Sequence, residues 1–398
     1  MTPEILVIGG GIFGLTAALE LSARQYRVML IDSGPLPHPL AASTDISKVV
    51  RMEYGADALY MELVEESIAG WKAWNAEFGE DLYHQVGVMM LTRAPLVAGD
   101  FEYESYHLAR KRGHDSQRMD STIIAQRYPA WNAPLYVDGF FNPMGGYVES
   151  GRVIEELVKK AKRVGVEIID HETAAELIER EGRVVGVRTE AGHEFLAAEQ
   201  VVVTGGAWTM LLVPELANFL SATGHPVFHL KPSDPDLFEA RHFPVFCADI
   251  SNTGWYGFPL HPHQKVVKIG NHGVGQKLNA ARDPRVVMPD DERRLREFLH
   301  GTFPALTDGE IVYTRRCLYC DTPDGDFLIS RHPKRTGLTI ATGDSGHGFK
   351  FGPVLGRIVA DAAEGLANDT TSRFYWRDLS ADTYADASRW LDDTRRRS

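Results

Sequence analysis

A glycine-rich turn near the start of the chain constrains its fold more than any other feature. An apolar run of strand length, residues 4–8, leads into Gly9, Gly11 and Gly14, and an Ala- and Leu-rich stretch of helical periodicity follows. A second apolar run ends at Asp32. GxGxxG between a strand and a helix allows a tight turn, close approach of a pyrophosphate and close helix packing. The helix N-terminus then faces the phosphates, and Asp32 can bind a ribose. The unit predicts a dinucleotide site, without distinguishing NAD from FAD.

Composition narrows the class of protein and of partner. Hydrophobic residues make up 44% and charged residues 24% of the chain, as in globular proteins, and 398 residues allow two to three domains. A net charge of -12, with no basic block before residues 395–397, argues against a nucleic-acid partner. No apolar run is long enough to cross a bilayer, and three cysteines are too few for a disulfide framework. We therefore expect a cytoplasmic protein with no membrane partner.

Patterning along the chain predicts an α/β domain plus a β domain. Strand and helix patterns of the nucleotide unit recur in the middle and near the end, whereas short alternating strands broken by Pro and Gly occupy residues 227–274. We expect a dinucleotide-binding, Rossmann-like domain and a substrate domain built on an antiparallel sheet. The first comprises residues 1–80, 145–215 and 321–370, the second comprises residues 81–144 and 216–320, and a C-terminal tail covers residues 371–398.

Seven spaced segments together resemble a family of flavin amine oxidases. They are GGGIFG (9–14), DISKVVRMEYG (45–55), VVVTGGAW (201–208), YGFP (256–259), KIGNH (268–272), CLYCDTPDGDFLISRHP (317–333) and GDSGHGFKFGPVLG (343–356). The set is similar to monomeric sarcosine oxidase, N-methyltryptophan oxidase, pipecolate oxidase and the fructosyl amino acid oxidases (amadoriases). The resemblance implies FAD in the Rossmann-like domain, oxidation of a secondary amine such as an N-substituted α-amino acid, and release of hydrogen peroxide. It also implies a small amino acid and oxygen as partners of a monomer.

The resemblance assigns the residues that hold the flavin. Cys317 matches the cysteine that forms a thioether to the flavin 8-methyl carbon, although a buried cysteine can also be a plain small hydrophobe. Cys320 completes a CxxC, but partner residues for a redox or zinc site are not apparent, and no metal site is expected. The other expected cofactor-binding residues are Gly9, Gly11, Ile12, Gly14, Asp32, Lys48, Gly346, His347, Gly348 and Lys350.

Three residues are candidates for catalysis. Lys268 lies within an apolar strand, where a lysine is costly unless it has a polar task. It matches the family lysine that faces flavin N5 and promotes reaction with oxygen; an outward lysine on a half-exposed strand is the alternative. Lys48 resembles the amadoriase version of its segment, whereas His272 resembles the sarcosine oxidase version and could be a base or cavity lining. These two signals conflict, so the N-substituent of the substrate stays open.

Two further cations match residues that hold the substrate carboxylate in sarcosine oxidase. They are Arg51 and Lys350, with surface ion pairing as the alternative for Arg51. Tyr256 and Tyr319 match neighbours in the substrate cavity. The rival hypothesis is a dehydrogenase that passes electrons to a protein or quinone and reacts poorly with oxygen. Lys268 favours the oxidase.

Overall fold

A six-stranded, mostly parallel sheet carries the N-terminal glycine turn. The computed structural model describes residues 2–377, and this sheet takes strands from both ends and the middle of that range. Its central strands are apolar without alternation because both faces of the sheet are buried in hydrophobic cores. The pairing is parallel except at one edge, where the first two strands of the following order are antiparallel. The order is Leu328–Arg331, Leu338–Thr342, Gln200–Val203, Ile5–Ile8, Val28–Ile31 and Glu167–Ile169.

The helix after the glycine turn, Ile12–Ala23, packs on the helices Ser150–Arg163 and Gly352–Glu364. Small residues let these backbones approach closely. A Cβ at Gly14 would lie 1.8 Å from the Gly9 carbonyl oxygen. A Cβ at Gly356, on the helix Gly352–Glu364, would lie 2.4 Å from the Thr16 carbonyl oxygen. The strand, turn, helix and strand predicted from the first thirty-two residues are thereby confirmed.

A larger mixed sheet forms the second layer of the molecule. Its longest pairing joins Ser221–Lys231 to Glu310–Asp321 along their whole length. The first of these strands tolerates Pro226, because Pro226 falls between the stretches that pair with its two neighbours on the other edge. One pairing, Val245–Ala248 with Val88–Thr92, is parallel. The strand Glu310–Asp321 pairs with Ser221–Lys231 outside the main strand order. The main order is Gln276–Lys277, Ser221–Lys231, Val267–Asn271, Trp255–Leu260, Val245–Ala248, Val88–Thr92, Asp138–Asn142 and Gln117–Arg118.

Two three-stranded sheets and several helices complete the described residues. One sheet is an antiparallel meander of Ala174–Arg180, Arg183–Thr189 and Glu194–Leu196; the other joins Lys48–Val50, Gly146–Val148 and Tyr83–His84. The remaining helices are Ala58–Phe78, Phe101–Lys111, Ser121–Arg127, Thr209–Leu212, Ile250–Thr253, Pro289–Thr302 and Asp369–Phe374. The 3₁₀ segments are Ala133–Leu135, Gly206–Trp208, Pro214–Asn218, Pro235–Phe238, Pro304–Leu306 and Gly348–Phe351.

The helix Asp369–Phe374 extends past residue 371, where the tail was predicted to begin. Phe374 is fully buried, and Arg373 and Arg377 donate hydrogen bonds to the carboxylates of Asp326 and Asp324 respectively. These contacts hold the segment on the body of the protein. The rest of the predicted tail, residues 378–398, lies outside the described residues. No helix within residues 2–377 combines the length and the apolar character that a membrane span requires.

Candidate active site

A cavity of about 650 Å³ opens at the glycine turn, at the carboxyl ends of the parallel strands. Gly9 has a φ of +109°, and a Cβ there would lie 2.7 Å from the Thr204 carbonyl oxygen. The Asp32 carboxylate accepts hydrogen bonds from the backbone N–H groups of Gly10 at 2.6 Å and Gly34 at 3.1 Å. Of the predicted cofactor residues, Gly9, Gly11, Ile12, Asp32, Lys48, Gly346 and Gly348 line this cavity.

A smaller cavity of about 60 Å³ adjoins the larger one. Lys48, Tyr319, Gly346 and Phe349 line both cavities. The smaller cavity brings together every residue that was predicted to bind substrate or to act in catalysis: Lys48, Arg51, Tyr256, Lys268, His272, Tyr319 and Lys350. His347 lines it as well, whereas Gly14 and Cys317 are not among the lining residues of either cavity.

The charge of the smaller cavity is strongly positive. Lys48, Arg51, Lys268 and Lys350 all line it, and none of its described lining residues is Asp or Glu. The remaining wall is largely apolar or aromatic. Since several cations that line one concave site attract anions, this cavity suits a small anionic molecule.

Lys268 is buried in an ion pair on the strand Val267–Asn271. Its Nζ donates to Asp45 Oδ2 at 2.7 Å and to the Ser47 carbonyl oxygen, and it lies 4.8 Å from the centre of the Phe258 ring. Only 1% of the residue is exposed. Such a charge requires its partner, because removal of one member of a buried pair leaves the other uncompensated. The outward-facing alternative for Lys268 is therefore wrong.

Asp45 is shared among several basic groups. Lys48 Nζ lies 3.8 Å from Asp45 Oδ2, and His229 Nε2 lies 3.6 Å from Oδ1. Burial alone would raise the pKa of Asp45, but Lys268, His229, Lys48 and Arg315 hold that pKa well below its usual range. Burial lowers the pKa of Lys268 to about 8, with Asp45 opposing the fall and Lys48 adding to it.

Lys350 occupies the 3₁₀ segment Gly348–Phe351, directly before the helix Gly352–Glu364. Its Nζ donates to Tyr54 Oη at 2.8 Å and to the His347 carbonyl oxygen at 2.9 Å. The Arg51 guanidinium donates to the Glu53 carbonyl oxygen and lies 5.2 Å from the centre of the Tyr54 ring. Tyr54 thus contacts both cations that were predicted to hold a carboxylate.

Cys317 lies on the strand Glu310–Asp321, and its Sγ is 3.6 Å from Lys48 Nζ. The next residue along, Leu318, lines the larger cavity. Cys320 is a separate buried thiol that accepts a hydrogen bond from Thr342 Oγ1 at 3.3 Å, and burial raises its pKa to about 12. The two cysteines are not bonded to each other. Within residues 2–377, no group of His, Cys, Asp and Glu has the arrangement of a metal site.

Three aromatic rings pack together beside the smaller cavity, and two of them, Tyr319 and His272, line it. The rings of His225 and Tyr319 are 4.2 Å apart and nearly parallel, and His272 lies 6.0 Å from His225. Burial raises the pKa of Tyr256, whose phenol fits beside Gly270, where a Cβ would lie 2.7 Å from Tyr256 Oη. These contacts place the predicted aromatic residues as cavity walls.

Sequence reasoning missed several members of the site. Asp45 stands inside the DISKVVRMEYG segment, but its carboxylate meets Lys268 only through a contact across 223 positions. His229, His225 and Tyr54 had no assigned role. Their places in the sequence could have revealed them. Each of these polar residues lies within or beside an apolar segment, where a polar side chain usually has a specific partner.

Comparison with known proteins identifies the family. A model described as FAD dependent oxidoreductase matches residues 4–362. This chain belongs to the FAD dependent oxidoreductase family. The L-saccharopine oxidase of Schizosaccharomyces pombe is 28% identical over 417 residues, covering 95% of this chain and 94% of the relative. An N-methyl-L-tryptophan oxidase of Yersinia pestis is 29% identical over 363 residues, covering 90% and 94%.

Solved structures share the fold of this FAD dependent oxidoreductase. Fructosamine oxidase (Amadoriase II) of Aspergillus fumigatus superimposes with a TM-score of 0.85 at 23% identity, over 96% of this chain and 92% of that one. Fructosyl peptide oxidase from E. terrenum gives a TM-score of 0.83 at 22% identity, over 96% and 93%. The family resemblance and the fold class expected from the sequence motifs are confirmed. The relatives are named oxidases, so the dehydrogenase alternative is not favoured.

The larger cavity fits FAD, the cofactor of the family. The turn from Gly9 to Gly11 has no side chains, and a Cβ at Gly9 would lie too close to the Thr204 backbone. Phosphates can therefore approach this turn, and the helix Ile12–Ala23 begins directly after it. Its volume lies within the range of ligand pockets in proteins. Asp32 lies at the end of the neighbouring strand, as the ribose-binding role requires. In this FAD dependent oxidoreductase, the residues of the larger cavity therefore fit the family cofactor, and the smaller cavity adjoins it.

Proposed function

We propose that the protein oxidises a small N-substituted α-amino acid and reduces oxygen to hydrogen peroxide. The amine loses two electrons and two protons to become an imine, which water hydrolyses, and oxygen takes up two electrons and two protons. FAD, when bound, supplies the acceptor that links these two halves. The observation that carries the proposal is the small cationic cavity, without an acidic lining residue, that meets the cofactor cavity at Lys48 and Tyr319.

Arg51 and Lys350 are proposed to bind the substrate carboxylate. Both line the smaller cavity, and both contact Tyr54, so the two cations are held on one side of it. A hydrogen bond between charged groups contributes about 1.5–3 kcal/mol, so two such bonds can fix the orientation of a small amino acid. The chain would then bind the amine in its neutral form, because these cations disfavour a third positive charge nearby.

The size and the wall of the smaller cavity favour a short, apolar N-substituent. One buried water requires about 10–15 Å³, so a cavity of about 60 Å³ has space for roughly four to six atoms of that size. Cys247, Ile250 and Phe258 contribute to its apolar wall. Burial raises the pKa of the Cys247 thiol to about 12, so this wall carries no thiolate. We therefore favour sarcosine-like substrates over fructosyl amino acids.

Lys268 is proposed to assist the reaction with oxygen. Negative charge builds on oxygen as it accepts electrons, and an ammonium fixed in a buried site stabilises that charge without reorganisation. Asp45 and the Ser47 carbonyl hold the Lys268 ammonium in place. Lys48 adds a second positive charge at the junction of the cavities. His272 is proposed to shape the cavity, and no general base is assigned.

Cys317 is proposed to form the covalent bond to the flavin. It is buried beside Lys48, and the neighbouring residues Leu318 and Tyr319 line the cofactor cavity. The Cys320 thiol instead accepts a hydrogen bond from Thr342 Oγ1, which supports Cys317 as the attachment residue. The monomeric state and the cytoplasmic location stay predictions.

A panel of amines, assayed for hydrogen peroxide in air, tests the proposal. It comprises sarcosine, N-methylalanine, pipecolate, fructosyl glycine and N-methylethylamine, which resembles sarcosine without its carboxylate. We expect the highest kcat/KM with sarcosine or another small N-alkyl amino acid, and little turnover of N-methylethylamine. Preference for fructosyl glycine would contradict the size argument, and absence of peroxide with every amine would contradict the function itself.

A further inference from the structure

A directed chain of hydrogen bonds starts at Lys350 and continues through Tyr54 and His347. Lys350 Nζ donates to Tyr54 Oη at 2.8 Å, and Tyr54 Oη lies 2.9 Å from His347 Nδ1. His347 Nε2 lies 2.9 Å from the Gly325 carbonyl oxygen. Lys350 is only 2% exposed. Its hydrogen-bond acceptors therefore set the direction of its ammonium.

The polarity of this chain follows from its last acceptor. A carbonyl oxygen only accepts, so the proton of the neutral His347 ring must reside on Nε2. Nδ1 is then an acceptor, and the Tyr54 hydroxyl donates to it. The Tyr54 oxygen keeps its lone pairs for the Lys350 ammonium. Because all donors point the same way, each hydrogen bond polarises and strengthens the next.

Aromatic packing fixes the two rings that form this chain. The Tyr54 ring stacks on Tyr60 at 4.7 Å and an angle of 12°, and the His347 ring stacks on Phe327 at 4.9 Å and 25°. Tyr54 also lies under the Arg51 guanidinium at 5.2 Å. The phenol therefore has one position, from which its hydroxyl meets one proposed carboxylate-binding cation and its ring meets the other.

We infer that Tyr54 and His347 are positioning residues that aim Lys350 at the substrate carboxylate, a role that rests on the proposed function of the smaller cavity. His347 acts as an acceptor held in the Nε2–H tautomer by Gly325. Tyr54 passes that constraint to the ammonium. Neither residue needs to touch the reacting atoms, and their contribution belongs to binding of the carboxylate.

Equilibrium binding of an unreactive substrate analogue tests this inference in the holoenzyme. Butanoate has the shape of sarcosine with CH₂ in place of NH, and butanamide is its neutral counterpart. Tyr54→Phe keeps the ring below Arg51 and removes the hydroxyl, so the butanoate dissociation constant should rise roughly tenfold, as expected for loss of an ordering hydrogen bond to a charge. Butanamide affinity should not change. Calorimetric titration measures both constants, and flavin absorbance checks that each variant retains its cofactor.

Variants of His347 separate positioning from a general structural role. His347→Leu should weaken butanoate binding as much as Tyr54→Phe, and the double variant should be no worse than either alone, because both changes break one chain. His347→Asn should restore most of the affinity, since an amide oxygen can accept from the Tyr54 hydroxyl. Tyr136→Phe is the matched control: its buried hydroxyl meets Thr302 Oγ1 at 2.9 Å in another core, and its loss should leave butanoate affinity unchanged.

A second measurement does not depend on any ligand. Nitrogen-15 NMR of histidine-labelled protein should show a resonance of an Nε2–H, bare Nδ1 imidazole that disappears in His347→Asn. An Nδ1–H tautomer, unchanged butanoate affinity in Tyr54→Phe, or equal losses for butanoate and butanamide would overturn the inference. So would failure of the unmodified protein to bind butanoate. If the variants behave as expected but no amine yields peroxide, the inference stands and the proposed function fails.

Discussion

Replacement of Asp45 by Asn should shift the pH range in which the reduced protein reacts with oxygen. The Asp45 carboxylate lies 2.7 Å from Lys268 Nζ, and the pKa of Lys268, lowered by burial, is about 8. Lysine is charged below its pKa, so Lys268 is about 90% charged at pH 7 and about 10% charged at pH 9. Removal of one member of a buried ion pair costs about 3–5 kcal/mol, and one pKa unit corresponds to about 1.36 kcal/mol. The pKa of Lys268 should therefore fall by roughly two units or more in Asp45→Asn.

Rapid mixing of substrate-reduced protein with oxygen, from about pH 6 to about pH 10, measures this step directly. The rate in the unmodified protein should fall as pH rises through about 8, and in Asp45→Asn it should already be roughly tenfold lower at pH 7. Lys268→Met should be slower by about 10²- to 10³-fold and independent of pH in this range. Lys231→Met, at an exposed position at the end of its strand, is the control. An unchanged midpoint in Asp45→Asn would refute the reasoning, as would a profile of Lys268→Met that matches the unmodified protein.

Covalent attachment, carboxylate binding and the turn at Gly346 each give a further prediction. Flavin should stay with the chain after acid precipitation and be released in Cys317→Ser but not in Cys320→Ser; free flavin from the unmodified chain would contradict the thioether. Arg51→Ala or Lys350→Ala should lower kcat/KM for sarcosine roughly ten- to a hundredfold, but that for N-methylethylamine far less. Equal losses for the two amines would assign both cations to structure. Gly346→Ala should lower the flavin content per chain, because at its φ of +74° a Cβ would lie 2.3 Å from an aromatic ring of the cavity wall. Full flavin content in Gly346→Ala would show that the turn adapts.

Local patterns were sufficient to predict much of the cofactor domain. The turn at Gly9 combines an unusual φ with a close backbone contact, so the sequence must use glycine there. The bounds of the helix Ala58–Phe78 are also set locally, because Asp57 caps its first turn and Gly79 ends it with a φ of +70°. Such signals depend on neighbours in sequence, and sequence therefore reveals them.

Contacts between distant segments account for what sequence reasoning missed. The strand Glu310–Asp321 contains adjacent arginines that break its apolar pattern, and its pairing with Ser221–Lys231 joins residues far apart in the chain. Similarly, the burial of Lys268 was expected, but its partner Asp45 comes from a loop that precedes the strand Lys48–Val50, far from Lys268 in sequence. Charge pairing of this kind leaves no periodic trace, so only the folded chain shows it.

The central claim is that one protein takes electrons from a small amino acid and gives them to oxygen. An anaerobic titration with sarcosine or the best amine of the panel, followed by admission of air, tests it most directly. The account predicts that the amine bleaches the flavin absorbance, and that air restores it with release of one hydrogen peroxide per flavin. Failure of every amine to bleach the flavin would contradict the substrate class, and bleaching without recovery or peroxide in air would contradict the oxidase.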